Sequence, residues 1–169
     1  MRATLPEPEW LPLVGARARA VTFFAVDVSV QAQVLNLLLE LQLRLQLTFI
    51  FVAHDLSVVR HISDRVAGMY VGQIVELATT EAVFARPRQP YTAALMRAVP
   101  VLDPRVAGTG AIPRGEVPSP AAPPSGRYFH PRCRFAEDRC RREAPLLREA
   151  SPGHFAGCHF AEQLSLQAT

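Results

Sequence analysis

A short apolar run at residues 47–52 constrains the fold more than any other stretch of the chain. It reads Leu-Thr-Phe-Ile-Phe-Val, and its length and its β-branched and aromatic residues are typical of a strand buried on both faces. The run is followed by Ala53, His54 and Asp55. Open parallel sheets bind ligands beyond the carboxyl ends of their strands, so His54 is well placed to contact one. The alternative is that His54 ends the strand and satisfies its imidazole locally.

A helical pattern precedes this run. Apolar residues recur at three- and four-residue spacing from Val30, and they predict a helix from about Ser29 to Leu45 with Asp27 or Ser29 as its N-cap. The leucines between 37 and 47 also alternate strictly, which is the period of a half-buried strand. Such a strand would be unusually long, and the interspersed Gln, Glu and Arg residues favour the helix.

Further elements are predicted after the run. The chain is expected to form a short helix at 56–62, strands at 65–70 and 73–77, a helix around residues 83 and 84, and a helix at 91–98. Val71 and Gly72 would make the tight connection between the two strands, and Thr79 or Thr80 would cap the next helix, which stops before Pro87. Residues 1–24 show no sustained periodicity and contain three prolines, so they are predicted to be irregular.

Proline use divides the chain. Twelve of the 15 prolines lie from Pro87 onward, and residues 100–126 have the composition of an extended linker that contributes little to a core. The sequence therefore predicts a domain boundary at this segment, between residues 25–99 and residues 127–169.

Composition excludes some functions. All 18 basic residues are arginine, so the chain holds no P-loop of the form G-x-x-x-x-G-K-[ST]. Five arginines cluster at 132, 134, 139, 141 and 142, but the interleaved Cys and Pro indicate a small ligand-bearing module rather than a nucleic-acid or membrane-surface patch. No apolar run reaches the roughly 18 residues of a membrane-spanning helix, and charged residues interrupt the first 20 positions where a secretory signal would lie, so a cytoplasmic chain is expected.

Two consecutive strings carry a family resemblance. VAHDLSVVRHISDRVAGMYVGQIVE resembles the switch-histidine region of ABC ATPases, and TTEAVFARPRQPYTAALMRAVP resembles their oligopeptide/dipeptide-importer branch. The resemblance implies that His54 contacts the γ-phosphate of ATP and that Asp27 belongs to the D-loop, here Ala-Val-Asp. It implies an α/β fold, in which residues 25–99 form a partial P-loop NTPase unit followed by the linker and a small irregular extension.

The same resemblance implies partners and cofactors, and it marks residues that differ. The family works with ATP and Mg²⁺, with a second ATPase subunit and with transmembrane importer subunits, at the inner face of the plasma membrane. Counting back from Asp27, the positions of the two catalytic carboxylates and the proline after them hold Ala20, Val21 and Thr22. Without those carboxylates and the P-loop lysine, the chain is expected not to hydrolyse ATP alone. Its abrupt onset of resemblance fits a truncated copy.

Three cysteines, Cys133, Cys140 and Cys158, lie in the extension. An odd number of thiols in a cytosolic chain indicates soft-metal ligation rather than disulfides, and neighbouring arginines are expected to lower the thiol pKa. The segment resembles the family's G-C-x-F-x-x-R-C extension, which implies a four-iron cluster, but Arg127 stands at the first cysteine position. A histidine, His130, His154 or His159, would then complete a zinc site or a labile iron-sulfur site. Three free, partly buried thiols are the alternative.

Two functions follow from these patterns. The first is the C-terminal part of the ATP-binding subunit of a peptide importer. The second is a non-catalytic interaction or metal-binding module that docks on an importer or on an intact ATPase.

Overall fold

The structure is a computed structural model that describes residues 18–22, 28–98 and 115–166. They fall in two units, one within Met1–Ile62 and one within Ser63–Thr169. The strands are β1 (Ala18–Thr22), β2 (Thr48–Val52), β3 (Arg65–Tyr70), β4 (Gln73–Thr79), β5 (Arg148–Ser151) and β6 (His154–Ala156). The helices are α1 (Val28–Leu45), α2 (Leu56–Ile62), α3 (Thr80–Ala85), α4 (Pro90–Arg97) and α5 (Asp138–Arg142), with a 3₁₀ turn at His130–Arg132. The predicted α/β class is confirmed, since the described residues contain both helices and strands.

The first unit contains a parallel pair of strands joined by α1. β1 pairs with β2 in the register Ala18↔Thr48 to Thr22↔Val52. The helix prediction for α1 is confirmed, whereas the prediction that residues 1–24 are irregular is wrong at β1. The apolar residues that begin at Ala20 are typical of a strand, but the prolines earlier in the segment favoured the prediction of irregular structure. Asp27, one of the predicted helix caps, lies outside the described residues.

α1 ends in a left-handed residue. Gln46 has a φ of 51°, its Nε2 donates to the carbonyl of Leu43, and the N–H of Leu47 donates to the carbonyl of Gln42 at 3.2 Å. This is the Schellman pattern, in which glycine is the usual residue. Gln46 therefore ends the helix in the left-handed position that glycine most often occupies.

The second unit is built on a four-stranded antiparallel sheet in the order β3-β4-β6-β5. β3 and β4 form a two-residue hairpin through Val71 and Gly72, both with positive φ, as type I′ turns require. β4 is paired on both sides, and its residues Glu76, Leu77 and Ala78 are buried. The strand and hairpin predictions for 65–77 are confirmed, and Thr79 caps α3 by accepting from the N–H of Ala82.

The extension completes this sheet. β5 and β6 come from residues predicted to be irregular and to lie beyond a domain boundary, yet β6 pairs with β4 through Glu76↔Ala156 and Leu77↔Phe155. The division into units falls between Ile62 and Ser63 rather than in the proline-rich segment. A proline-rich composition describes the segment itself and gives no information about where the chain packs afterwards.

Aromatic residues from both parts form the core of this unit. The ring of Tyr70 lies 5.3 Å from that of Phe129 in an edge-on arrangement, and Tyr91 lies 4.7 Å from Tyr70 and 5.5 Å from Phe129. Cys133 is buried in the same cluster. The extension is thus held to β3 and α4 by a shared aromatic core.

Candidate functional site

His54 lies in the connection between β2 and α2. β2 ends at Val52 and α2 begins at Leu56, and the His54 side chain is exposed. Asp55 caps the helix, since its Oδ1 accepts from the N–H groups of Ser57 at 2.8 Å and Val58 at 3.4 Å. The local structure therefore presents the imidazole to solvent at the carboxyl end of a parallel strand, where ligands bind in such sheets.

The parallel register places the end of β1 beside the end of β2. Ala20, Val21 and Thr22 pair with residues 50–52, so the chain leaves β1 at the same edge of the strand pair at which it continues to His54. These are the three positions at which the resemblance expects the two carboxylates and a proline. The strand pair thus places Ala20, Val21 and Thr22 beside the residues that lead to His54, and none of the three carries a carboxylate. Asp27 lies outside the described residues.

The three cysteines are free and buried. They come from the loop after the 3₁₀ turn, from α5 and from the segment after β6, and Cys140 and Cys158 are close enough to Cys133 to raise its pKa. Burial is the largest cause of this raised pKa, and the guanidinium of Arg127 opposes it. The expectation that arginines lower the thiol pKa is therefore wrong for Cys133, because desolvation of the thiolate outweighs the nearby positive charge.

Arg127 contacts two of the three cysteines. Its side chain is buried, its Nη1 donates to Sγ of Cys158 at 3.3 Å, and its backbone N–H donates to the carbonyl of Cys140 at 2.9 Å. Among the described residues, no group of three or more His, Cys, Asp or Glu side chains is arranged to hold a metal ion. A permanently charged guanidinium against a cysteine sulfur does not fit a metal or an iron-sulfur cluster there.

The histidines considered as further ligands have other contacts. His130 Nδ1 lies 2.9 Å from the carbonyl oxygen of Arg127, and His159 Nε2 lies 3.1 Å from that of Glu143. His154 is buried and lies against Glu76 of β4. None of the three is therefore directed to the cysteine sulfurs by the contacts that the structure describes.

The arginine cluster is engaged within the extension. Arg134 lies over the ring of Phe135 at 4.6 Å, and Arg139 forms an ion pair with Glu143 at 2.8 Å. Arg142 Nε donates to the carbonyl of Asp138 at 3.4 Å. These contacts give the three side chains local structural roles within the extension.

Sequence reasoning missed the polar residues of β4 and α4. Glu76 and Gln89 are both fully buried, and their carboxylate and amide contact the backbone of Arg88 and Tyr91. Glu76 lies among the apolar residues of a predicted strand, and Gln89 lies just before a predicted helix. These positions could have indicated buried polar contacts, because polar groups are buried only with partners.

Comparison with known proteins finds relatives for most of the chain. Residues 75–140 match the family described as the oligopeptide/dipeptide transporter, C-terminal region. A protein of Sinorhizobium fredii named a probable peptide ABC transporter ATP-binding protein is 55% identical over 135 residues, which are 80% of this chain and 38% of the relative. The oligopeptide transport ATP-binding protein AppF of Bacillus subtilis is 50% identical over 137 residues, or 80% of this chain and 42% of that relative. The chain is a homologue of the C-terminal part of peptide ABC transporter ATP-binding proteins.

The chain spans about two fifths of the length of these relatives. The resemblance to peptide ABC transporter ATP-binding proteins is confirmed, and the family match runs from β4 through α3 and α4 into the extension as far as Cys140. Among the described helices, none combines the length and apolar character needed to cross a bilayer.

Proposed function

We propose that the chain is the C-terminal part of the ATP-binding subunit of an ABC importer for oligopeptides or dipeptides. The homology over 80% of the chain is the observation that carries this proposal. In it, residues 25–99 supply the D-loop with Asp27 and the switch histidine His54 of a P-loop NTPase unit, and ATP and Mg²⁺ are bound by other parts of the ATPase. Its partners are transmembrane importer subunits and a second ATPase subunit, at the inner face of the plasma membrane.

The first unit supports a role as part of a larger α/β domain. Its described sheet has two strands, so one edge of each is unpaired among the described residues. α1 also exposes large apolar side chains, including Leu37, Leu43 and Leu45. An apolar helix face of this kind is normally covered by neighbouring elements.

These 169 residues alone are proposed not to hydrolyse ATP. Phosphoryl transfer depends on cations and carboxylates positioned around the phosphates, and this chain has no lysine for a P-loop and no carboxylate in β1. Phosphate release by the purified chain should therefore equal that of buffer, and His54→Ala should change nothing. Vanadate-sensitive hydrolysis that His54→Ala abolishes would contradict the proposal.

A chimaera tests the role of His54 directly. Residues 28–169 would replace the matching segment of the Bacillus subtilis relative, which supplies the remainder of the ATPase. We expect the chimaera to support ATP hydrolysis with its transporter, and His54→Ala to lower kcat by at least about 100-fold because phosphate contacts that form in the transition state are lost. His61→Ala is the matched control, since His61 is an exposed histidine on α2. Equal effects of the two substitutions would contradict the assignment of His54.

A second candidate is a non-catalytic module that docks on an importer or an intact ATPase. It is favoured by the second unit, in which the extension and residues 65–97 share one sheet and one aromatic core. If this candidate is right, the chain should bind the purified importer complex without altering nucleotide affinity, whereas the chimaera should be inactive.

A further inference from the structure

Three buried polar side chains line one small cavity in the second unit. Tyr70 at the end of β3, Gln89 at the N-cap of α4 and Arg127 of the extension all border a cavity of about 30 Å³. Their exposed fractions are 4%, 0% and 5%. The cavity is therefore surrounded by side chains from three separate segments.

Each of these side chains has polar atoms without a hydrogen-bond partner among the described residues. They are the Tyr70 hydroxyl, Nε2 of Gln89, and Nε and Nη2 of Arg127. The other polar atoms are occupied, since Oε1 of Gln89 accepts from the N–H of Tyr91 and Nη1 of Arg127 donates to Cys158. Buried polar groups are nearly always paired, so several unpaired ones around one cavity indicate a ligand.

The unpaired atoms around the cavity are all able to donate hydrogen bonds. An amide nitrogen and guanidinium nitrogens only donate, and a phenol hydroxyl readily donates. No residue that lines the cavity is acidic, and Arg127 is the one among them with a permanent charge. Among the described residues Arg127 has no ion pair with a carboxylate, and its Nη1 donates to the sulfur of Cys158, which is a weak acceptor. The ligand must therefore accept hydrogen bonds and supply negative charge.

The size and position of the cavity limit which ligand it can bind. A cavity of this volume holds about two water molecules or one small ion, and a bulky organic anion does not fit. Gln89 begins an eight-residue helix, whose N-terminal end adds positive potential. Water satisfies the donors but does not neutralise the buried guanidinium, and an unpaired buried charge is costly.

We propose that this cavity binds a small monovalent anion of about the size of chloride, held by Arg127, Gln89 and Tyr70. The anion joins the extension to β3 and α4 and takes the place of a carboxylate as the partner of Arg127. The site is independent of the ATP-related function, because none of its residues belongs to the first unit.

Chloride titration of the full chain tests the proposal. The thermal midpoint should rise by several degrees from gluconate to chloride buffer at equal ionic strength, because a ligand that binds only the folded state stabilises it. The line width of the ³⁵Cl NMR signal should increase with protein and should be restored by competing bromide. If waters alone fill the cavity, chloride and gluconate will give the same midpoint and the line width will not change, and the proposal is overturned.

Variants locate the site. Tyr70→Phe removes one donor and should weaken chloride affinity about 2- to 10-fold while leaving stability in gluconate equal or higher, since it deletes an unpaired hydroxyl. Arg127→Met should weaken affinity at least about 10-fold and abolish the difference between the two buffers. Arg141→Met is the control, because Arg141 is an exposed arginine of the same extension and the charge change is identical. Chloride binding that survives Arg127→Met, or that Arg141→Met reduces equally, would overturn the assignment.

Discussion

Nε2 of His154 lies 2.7 Å from Oε1 of Glu76, and the contact joins residues 78 positions apart in the chain. The side chains of Glu76 and His154 are 0% and 5% exposed. The same carboxylate oxygen accepts from the N–H of Arg88 at 2.5 Å. One buried carboxylate on β4 therefore contacts both the loop before α4 and the neighbouring strand β6.

Removing this carboxylate should destabilise the second unit strongly. Glu76→Ala leaves His154 and the Arg88 N–H buried without a partner, so we expect the free energy of unfolding to fall by about 3–5 kcal/mol. Urea unfolding of the full chain measures it. Glu116→Ala, an exposed glutamate, should change the same quantity by less than about 0.5 kcal/mol. Equal effects of the two would show that the buried contact contributes nothing.

Gly126 permits the chain just before the extension to lie close to the backbone of α5. Its φ is 65°, and a Cβ there would lie 2.5 Å from the carbonyl oxygen of Cys140 and 2.7 Å from the backbone of Arg141. Gly126→Ala should therefore add overpacking of about 1–3 kcal/mol to a left-handed strain of about 1–2 kcal/mol. Gly153→Ala is the matched control, because Gly153 has a similar φ of 70° with open space around its Cβ position. If the two alanine variants have the same thermal midpoint, the clash is not what makes glycine necessary.

Replacing Gln46 with glycine should stabilise the first unit. Its left-handed conformation at the end of α1 strains any residue with a Cβ, and its exposed side chain donates to the carbonyl of Leu43. We expect Gln46→Gly to raise the stability of the first unit by about 0.5–1 kcal/mol, because the relief of strain exceeds the entropy cost of glycine and the lost contact. Hydrogen exchange of amides in α1 reports this unit separately. Faster exchange in the variant would contradict the prediction.

Acid should weaken the pairing of Glu162 with Arg148. The guanidinium of Arg148 donates to both carboxylate oxygens, with Nη2 at 2.8 Å from Oε2, and this contact lowers the pKa of Glu162 from 4.5 to about 2. Because the folded-state pKa is the lower one, the stabilisation is complete above about pH 4.5 and is lost as the pH falls through about 2. The effect is modest, since the pair is exposed.

Thermal midpoints between pH 5 and pH 2 measure this dependence. Glu162→Gln should flatten the profile over that window, and Glu137→Gln should leave its slope as in the parent because Glu137 is an exposed glutamate without an ion pair among the described residues. A profile unchanged by Glu162→Gln would refute the assignment.

Arg127→Cys should convert the cysteine group into a metal-binding one. The substitution supplies a fourth thiol and removes the guanidinium that contacts Cys158, and four thiolates are the usual ligand set of a four-iron cluster. After anaerobic reconstitution, the variant should retain more iron than the parent in air. Arg127→Ala is the control that removes the charge without adding a ligand. Equal iron content in all three folded proteins would show that the cysteines do not share a site.

The sequence by itself determined most local elements and the resemblance to peptide ABC transporter ATP-binding proteins. Apolar spacing predicted α1, β2 and the β3–β4 hairpin, and residue type predicted a cap at Thr79 or Thr80, because these features depend on residues within a few positions of one another. It also showed the arginine at position 127 and the absence of lysine, which restrict the chemistry without reference to packing.

The tertiary structure decided how distant segments combine. β6 has three residues and no clear strand signal of its own, and it forms because β4 offers a free edge and Glu76 a partner for His154. The same packing places Arg127, Tyr70 and Gln89 around one cavity and buries Cys133, whose pKa then rises despite the nearby arginine. Pairing, burial and desolvation depend on neighbours in space, so local sequence patterns do not specify them.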